Sequence, residues 1–143
     1  MIMKRVTYFL FLLAFALVLP QGCDTKKETK VDRYKEIMAI HDAVMPKMAA
    51  VNRLKRQLQS IDANTADSLT VAKVHYSIGE LEEAEDLMQT WMHQWAEKSQ
   101  GLDKKSDQYQ QFLKDQKKSI INVSDRIYHA MQHADATMAT VKK

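Results

Sequence analysis

His41, Met45, Met88 and Met92 bring imidazole and thioether donors to two segments of the chain. That donor set suits a soft ion such as Cu(I), and the interior of a helical bundle can host one. Methionine is enriched, with nine in 143 residues and seven of those beyond residue 30. It is also an adaptable filler of apolar cores, and a seam histidine is more often simply hydrogen-bonded. Core packing is therefore the preferred reading of the four residues, with no cofactor required, and copper binding is the alternative. A second group, His129 and His133 one helical turn apart with His75 expected at a similar level, has the i, i+4 spacing that chelates Zn²⁺ or Ni²⁺. None of the three falls on the expected apolar seam, and no carboxylate completes a known motif. His93 reads as a rim residue. There is no Gly-x-Ser-x-Gly and no Gly-rich phosphate loop, so no enzymatic activity is expected.

The one cysteine carries different chemistry. Lys4 and Arg5 precede the apolar run Val6 to Leu19, after which Pro20, Gln21 and Gly22 lead to Cys23. A basic start, a short apolar segment and a small residue before cysteine make residues 1–22 a lipoprotein signal peptide. The apolar run is shorter than the roughly 17–25 residues that span a bilayer. Acylation would consume the thiol as a thioether, and several acyl chains anchor stably because each buried CH₂ contributes about 0.8 kcal/mol. Pro20 and Gln21 depart from the usual Leu-(Ala/Ser/Thr)-(Gly/Ala)-Cys box. Residues 23–30 are polar and read as an acylated tether.

Beyond residue 22 lie all 18 acidic and 19 of the 21 basic residues, so the formal charge there is about +1. That balance argues against nucleic acid as a partner. Gly and Pro reduce to Gly79, Gly101 and Pro46, while Ala, Leu, Met, Glu, Lys and Gln dominate. The composition is helical. Turn chemistry at Asp62 to Thr65 and at Ser99 to Asp103, the latter with Gly101 at a C′ position, divides residues 31–143 into helices at about 31–61, 66–99 and 104–141.

The apolar residues step by three and four. The expected seam is Tyr34, Ile37, His41, Val44, Met48 and Val51, then Leu54, Leu58 and Ile61, in the first helix. It is Val71, Val74, Ile78, Leu81, Met88, Met92 and Trp95, broken at Glu85, in the second. In the third it is Tyr109, Leu113, Gln116, Ile120, Val123, Ile127, Ala130, Ala134 and Val141. Sustained three-four spacing with short connections predicts an all-α, up-down-up antiparallel three-helix bundle with shallow-angle packing.

Pairing through the first turn sets residue i of the first helix level with roughly residue 128 − i of the second. His41 then meets Leu87 and Met88, and Lys47 meets the acidic run Glu80 to Asp86. That run reads as a solvated bundle face, in preference to a cation-binding patch. Pro46 cannot donate to the Asp42 carbonyl, so a kink or restart is expected there, freeing a carbonyl near the seam. Trp91 and Trp95, opposite Tyr34 and Ile37, should cap the tether-proximal end of the core, a membrane-contacting aromatic edge being the alternative.

The stretch His41-Asp42-Ala43-Val44-Met45-Pro46-Lys47-Met48, followed by Leu54-Lys55-Arg56-Gln57-Leu58 and Trp91-Met92-His93, resembles a family of small Bacteroidota lipoproteins often labelled "viral A-type inclusion protein". The resemblance covers most of the chain beyond Cys23. It implies a lipid-anchored helical envelope protein without defined catalytic residues or cofactor, and it accounts for the loose box before Cys23, since lipoprotein boxes in that phylum are permissive. The expected role is non-enzymatic: a structural or interaction module in the cell envelope, held by lipid on Cys23, on the outer membrane, and offering a helical face to a protein partner. Copper binding or tolerance through His41, Met45, Met88 and Met92 is the alternative.

Overall fold

A computed structural model describes residues 30–62, 64 and 66–141. The expected signal peptide, Cys23 and nearly all of the expected tether lie outside the described residues. Three helices follow in order: α1, Lys30–Asp62; α2, Ser68–Ser99; α3, Asp107–Val141. Each pair of helices is in contact. The protein is an all-α three-helix bundle.

The ends of the helices follow from local chemistry. Asp67 caps α2, its carboxylate accepting from Thr70 N at 3.0 Å and Thr70 Oγ1 at 2.6 Å. Those bonds hold the Asp67 carboxyl below the ordinary carboxylate range. At the far end of α2, Gly101 takes φ +77°, the left-handed conformation that glycine adopts without strain. Ser106 then precedes α3 and accepts from Tyr109 N at 3.1 Å. The second and third helices therefore begin two and three residues later than the composition suggests, because Asp67 and Ser106 are caps.

Pro46 sits within α1, which runs unbroken from Lys30 to Asp62, so the expected restart does not occur. Pro46 and Asp42 are both exposed. The proline therefore lies on the solvent face of the helix and not at the seam, where water can satisfy the carbonyl it leaves unpaired.

Paired residues establish the direction of each helix. Between α1 and α2, Tyr34 meets Trp95, His41 meets Trp91, Lys55 meets Glu85 and Asp62 meets His75, one series rising as the other falls. Between α1 and α3, Arg33 donates to the Gln110 carbonyl, Lys117 pairs with Glu36 and Lys47 lies over Tyr128, both series rising together. The order is up-down-up. Lys30, Ser99 and Asp107 lie at one end, the base; Asp62, Ser68 and Val141 lie at the other, the crown.

The core runs between these ends. In α3 the buried positions include Tyr109, Leu113, Gln116, Ile120, Val123, Ile127, Ala130 and Ala134, the whole expected seam except half-buried Val141. In α1, Ile37, Val44, Val51, Leu54 and Leu58 are buried, while His41, Met48 and Ile61 are half-buried and Tyr34 is exposed. The second helix differs most. Its buried stripe is Val74, Ser77, Leu81, Ala84, Met88 and Trp91, with Ile78, Met92 and Trp95 half-buried at its edge. The helix is turned about one position from the expected seam, so that small Ser77 and Ala84 face its neighbours.

Candidate functional site

The base holds an aromatic cluster. Trp95 packs 5.4 Å from Trp91, 5.1 Å from Phe112 and 6.0 Å from Tyr34, measured between ring centroids. His41 lies 5.6 Å from Trp91 in a tilted stack, and its Nδ1 is 2.9 Å from the Asp42 carboxylate. Thus His41 meets Trp91, one turn beyond the Met88 level expected from the turn geometry. Met88 is 1% exposed and belongs to the core, and Met45 and Met92 pack against it half-buried. These placements favour packing as the work of the four residues. Cys23, the expected lipidation site, lies outside the described residues.

The acidic run of α2 is mostly solvated: Glu82, Glu83 and Asp86 are exposed, Glu85 is half-buried and Glu80 is buried. Lys55 Nζ is 2.7 Å from Glu85 Oε2, with Asn52 donating to the other carboxylate oxygen at 3.5 Å. The Lys55 ammonium holds the Glu85 carboxyl below the ordinary carboxylate range, partial burial opposing it. Arg126 donates to Glu83 across the α2 and α3 flank. Lys47, expected beside the acidic run, instead places its ammonium 6.0 Å from the centre of the Tyr128 ring. Tyr34 and Trp95 at the base keep the register that the turn implies, whereas Lys55 and Glu85 meet well out of it.

The histidine group also divides differently. His75 pairs with Asp62 at 2.9 Å and does not join the other two. His129 and His133 flank a carboxylate that the sequence reading missed: Glu80, only 9% exposed, between α2 and α3. Glu80 Oε2 lies 2.6 Å from His133 Nδ1, and Glu80 Oε1 lies 3.8 Å from His129 Nδ1. The close contact is an ion-pair distance without hydrogen-bond alignment. Ser77 Oγ is 3.2 Å from the same His133 Nδ1 and 2.8 Å from Thr137 Oγ1. Ser77, His133 and Glu80 thus share one ring nitrogen, whereas a nucleophile relay needs serine and carboxylate on opposite nitrogens. Among the described residues, no group of three or more His, Cys, Asp or Glu is arranged to hold a metal ion.

This polar knot lies beneath a groove of about 430 Å³ at the crown, lined by α2 and α3 residues including Lys73, Tyr76, His133 and Thr140. Tyr76 stands edge-on to His133, 5.3 Å between ring centroids. A signal for the buried serine was present: Val74, Ser77, Leu81, Ala84, Met88 and Trp91 keep an unbroken three-four spacing, obscured by the more apolar Ile78. Glu80 carries no such signal, because a lone glutamate within Glu80 to Asp86 reads as solvated.

No family model, curated protein or solved structure matches the chain. No helix among the described residues is long and apolar enough to cross a membrane.

Proposed function

We propose that this chain is a lipid-anchored cell-envelope protein, attached through acylated Cys23 to a bacterial outer membrane, whose helical bundle serves a non-enzymatic interaction role. The observation carrying the interaction role is the position of Leu69 and Tyr76. Each is 63% exposed, the highest value among the large apolar side chains of the described residues, and both lie on the first turns of α2 at the crown. The tether joins at the base, where α1 begins. A chain anchored there would direct Leu69 and Tyr76 away from the membrane, toward a protein partner. The resemblance to small envelope lipoproteins supports the anchor, and the pairing of Glu80, Glu83 and Glu85 with His133, Arg126 and Lys55 supports a scaffold over a reactive centre. The Met/His copper reading gains no specific support from Met88 in the core.

Two measurements test this. Labelled fatty acid should enter the wild type and not Cys23→Ser, and equal labelling would refute the anchor. Leu69→Asp with Tyr76→Asp should abolish partner co-purification from membranes while Lys114→Asp leaves it intact. Equal retention in all variants would refute the crown as the contact.

A further inference from the structure

We propose that the base of the bundle rests on a lipid surface, with Tyr34 and Trp95 set at headgroup level along the α1–α2 edge. This deepens the envelope reading and rests on its lipid anchor.

Chain length decides which end stays near lipid. Only residues 24–29 separate the expected acyl site, Cys23, from the start of α1 at Lys30. Fully extended, a chain of that length spans at most about 25 Å. The 33 residues of α1 rise about 50 Å from base to crown. Tyr34 lies one turn from Lys30 and Trp95 one turn from Ser99, about 6 Å along each helix axis. An apolar face lying in the interface sinks roughly 5–10 Å into the headgroup boundary, a depth that covers both rings.

The rings at that end suit such a boundary. Trp91, 4% exposed, closes the core, whereas Trp95 beyond it is half-buried and Tyr34 is 44% exposed. Their ring centroids are 6.0 Å apart, and Phe112 backs Trp95 at 5.1 Å, so the pair stands on a packed aromatic floor. Among the described residues, Tyr34 is the only exposed large apolar side chain at the base. Tyrosine and tryptophan, each with an apolar body and a polar tip, are enriched where acyl chains meet water. An aromatic edge left partly in water at the tethered end gains by burial there.

Charge does not drive the contact. Residues 24–29 hold two basic and two acidic side chains, residues 30–36 three and two, and residues 97–107 three of each. The base is therefore close to neutral and fits a zwitterionic surface, with no need of anionic lipid.

The two tryptophans of the chain both lie at the base and report the contact directly. The acylated protein is reconstituted into vesicles of phosphatidylcholine, either plain or brominated on the upper acyl chain, and checked by flotation. Brominated lipid should lower wild-type tryptophan emission about twofold, because Trp95 would stand at the boundary of the acyl chains. Tyr34→Asp should float equally well and lose most of the quenching, Tyr34→Phe should keep it, and Tyr76→Asp at the crown should match wild type. Wild type that floats without being quenched would overturn the contact and leave the anchor standing. Quenching undiminished in Tyr34→Asp would also overturn it, and failure to float would refute the anchor and the contact together.

Discussion

Glu80 and His133 meet across α2 and α3 at 2.6 Å, a nearly buried carboxylate closed off from water by a histidine that is itself 38% exposed. A charge in that position depends on its partner, because losing one member strands the other in the interior. His133→Ala should therefore destabilise the bundle by about 1–3 kcal/mol in urea unfolding. Replacing both, Glu80→Leu with His133→Leu, should recover most of that loss. A double variant as weak as the sum of the singles would mean the pair is not coupled.

Glu85 gives the bundle a pH dependence of known sign. Its folded-state carboxyl is held below its ordinary value of 4.5 by the Lys55 ammonium. The ion pair thus stabilises the fold above that value and is lost as pH falls through the lowered folded-state value. In thermal melts taken from neutral to acidic pH, Glu85→Gln should lower Tm at neutral pH and reduce the acid-dependent fall. Parallel curves for the two proteins would show that Glu85 is not a source of the acid sensitivity.

The rotation of α2 can be read in energies. Ile127→Ala, at a fully buried site, should cost about 2–5 kcal/mol, and Ile78→Ala, at the half-buried edge, clearly less. Ala84→Leu should cost about 1–3 kcal/mol by overpacking the contact where α2 approaches its neighbours. Lys114→Ala, on the exposed face of α3, should stay within about 0.5 kcal/mol. Chemical denaturation ranks all four.

Met88 separates packing from copper chemistry. As a core filler, Met88→Leu should cost under about 1.5 kcal/mol, and Cu(I) should leave the melting curve of the wild type unmoved. A copper-dependent rise in Tm that vanishes in His41→Ala would install His41, Met45, Met88 and Met92 as a metal site instead.

Features that depend on near neighbours along the chain are legible in the residues alone. Three helices, their order, the Gly101 terminus and the α3 seam from Tyr109 to Ala134 follow from propensity, turn chemistry and one strong three-four stripe. The rotation of α2 and the choice of charge partners come from helix packing instead. That helix offers two adjacent stripes, one through Ile78 and Met92 and one through Ser77, Ala84 and Trp91, and the choice depends on which the facing helices can approach most closely. The same rotation buries Glu80 beside His133, and helix pairing out of the turn's own register joins Lys55 to Glu85. Neither pairing is legible in sequence, because a side chain's partners across a bundle are set by the packing of whole helices and not by spacing along one.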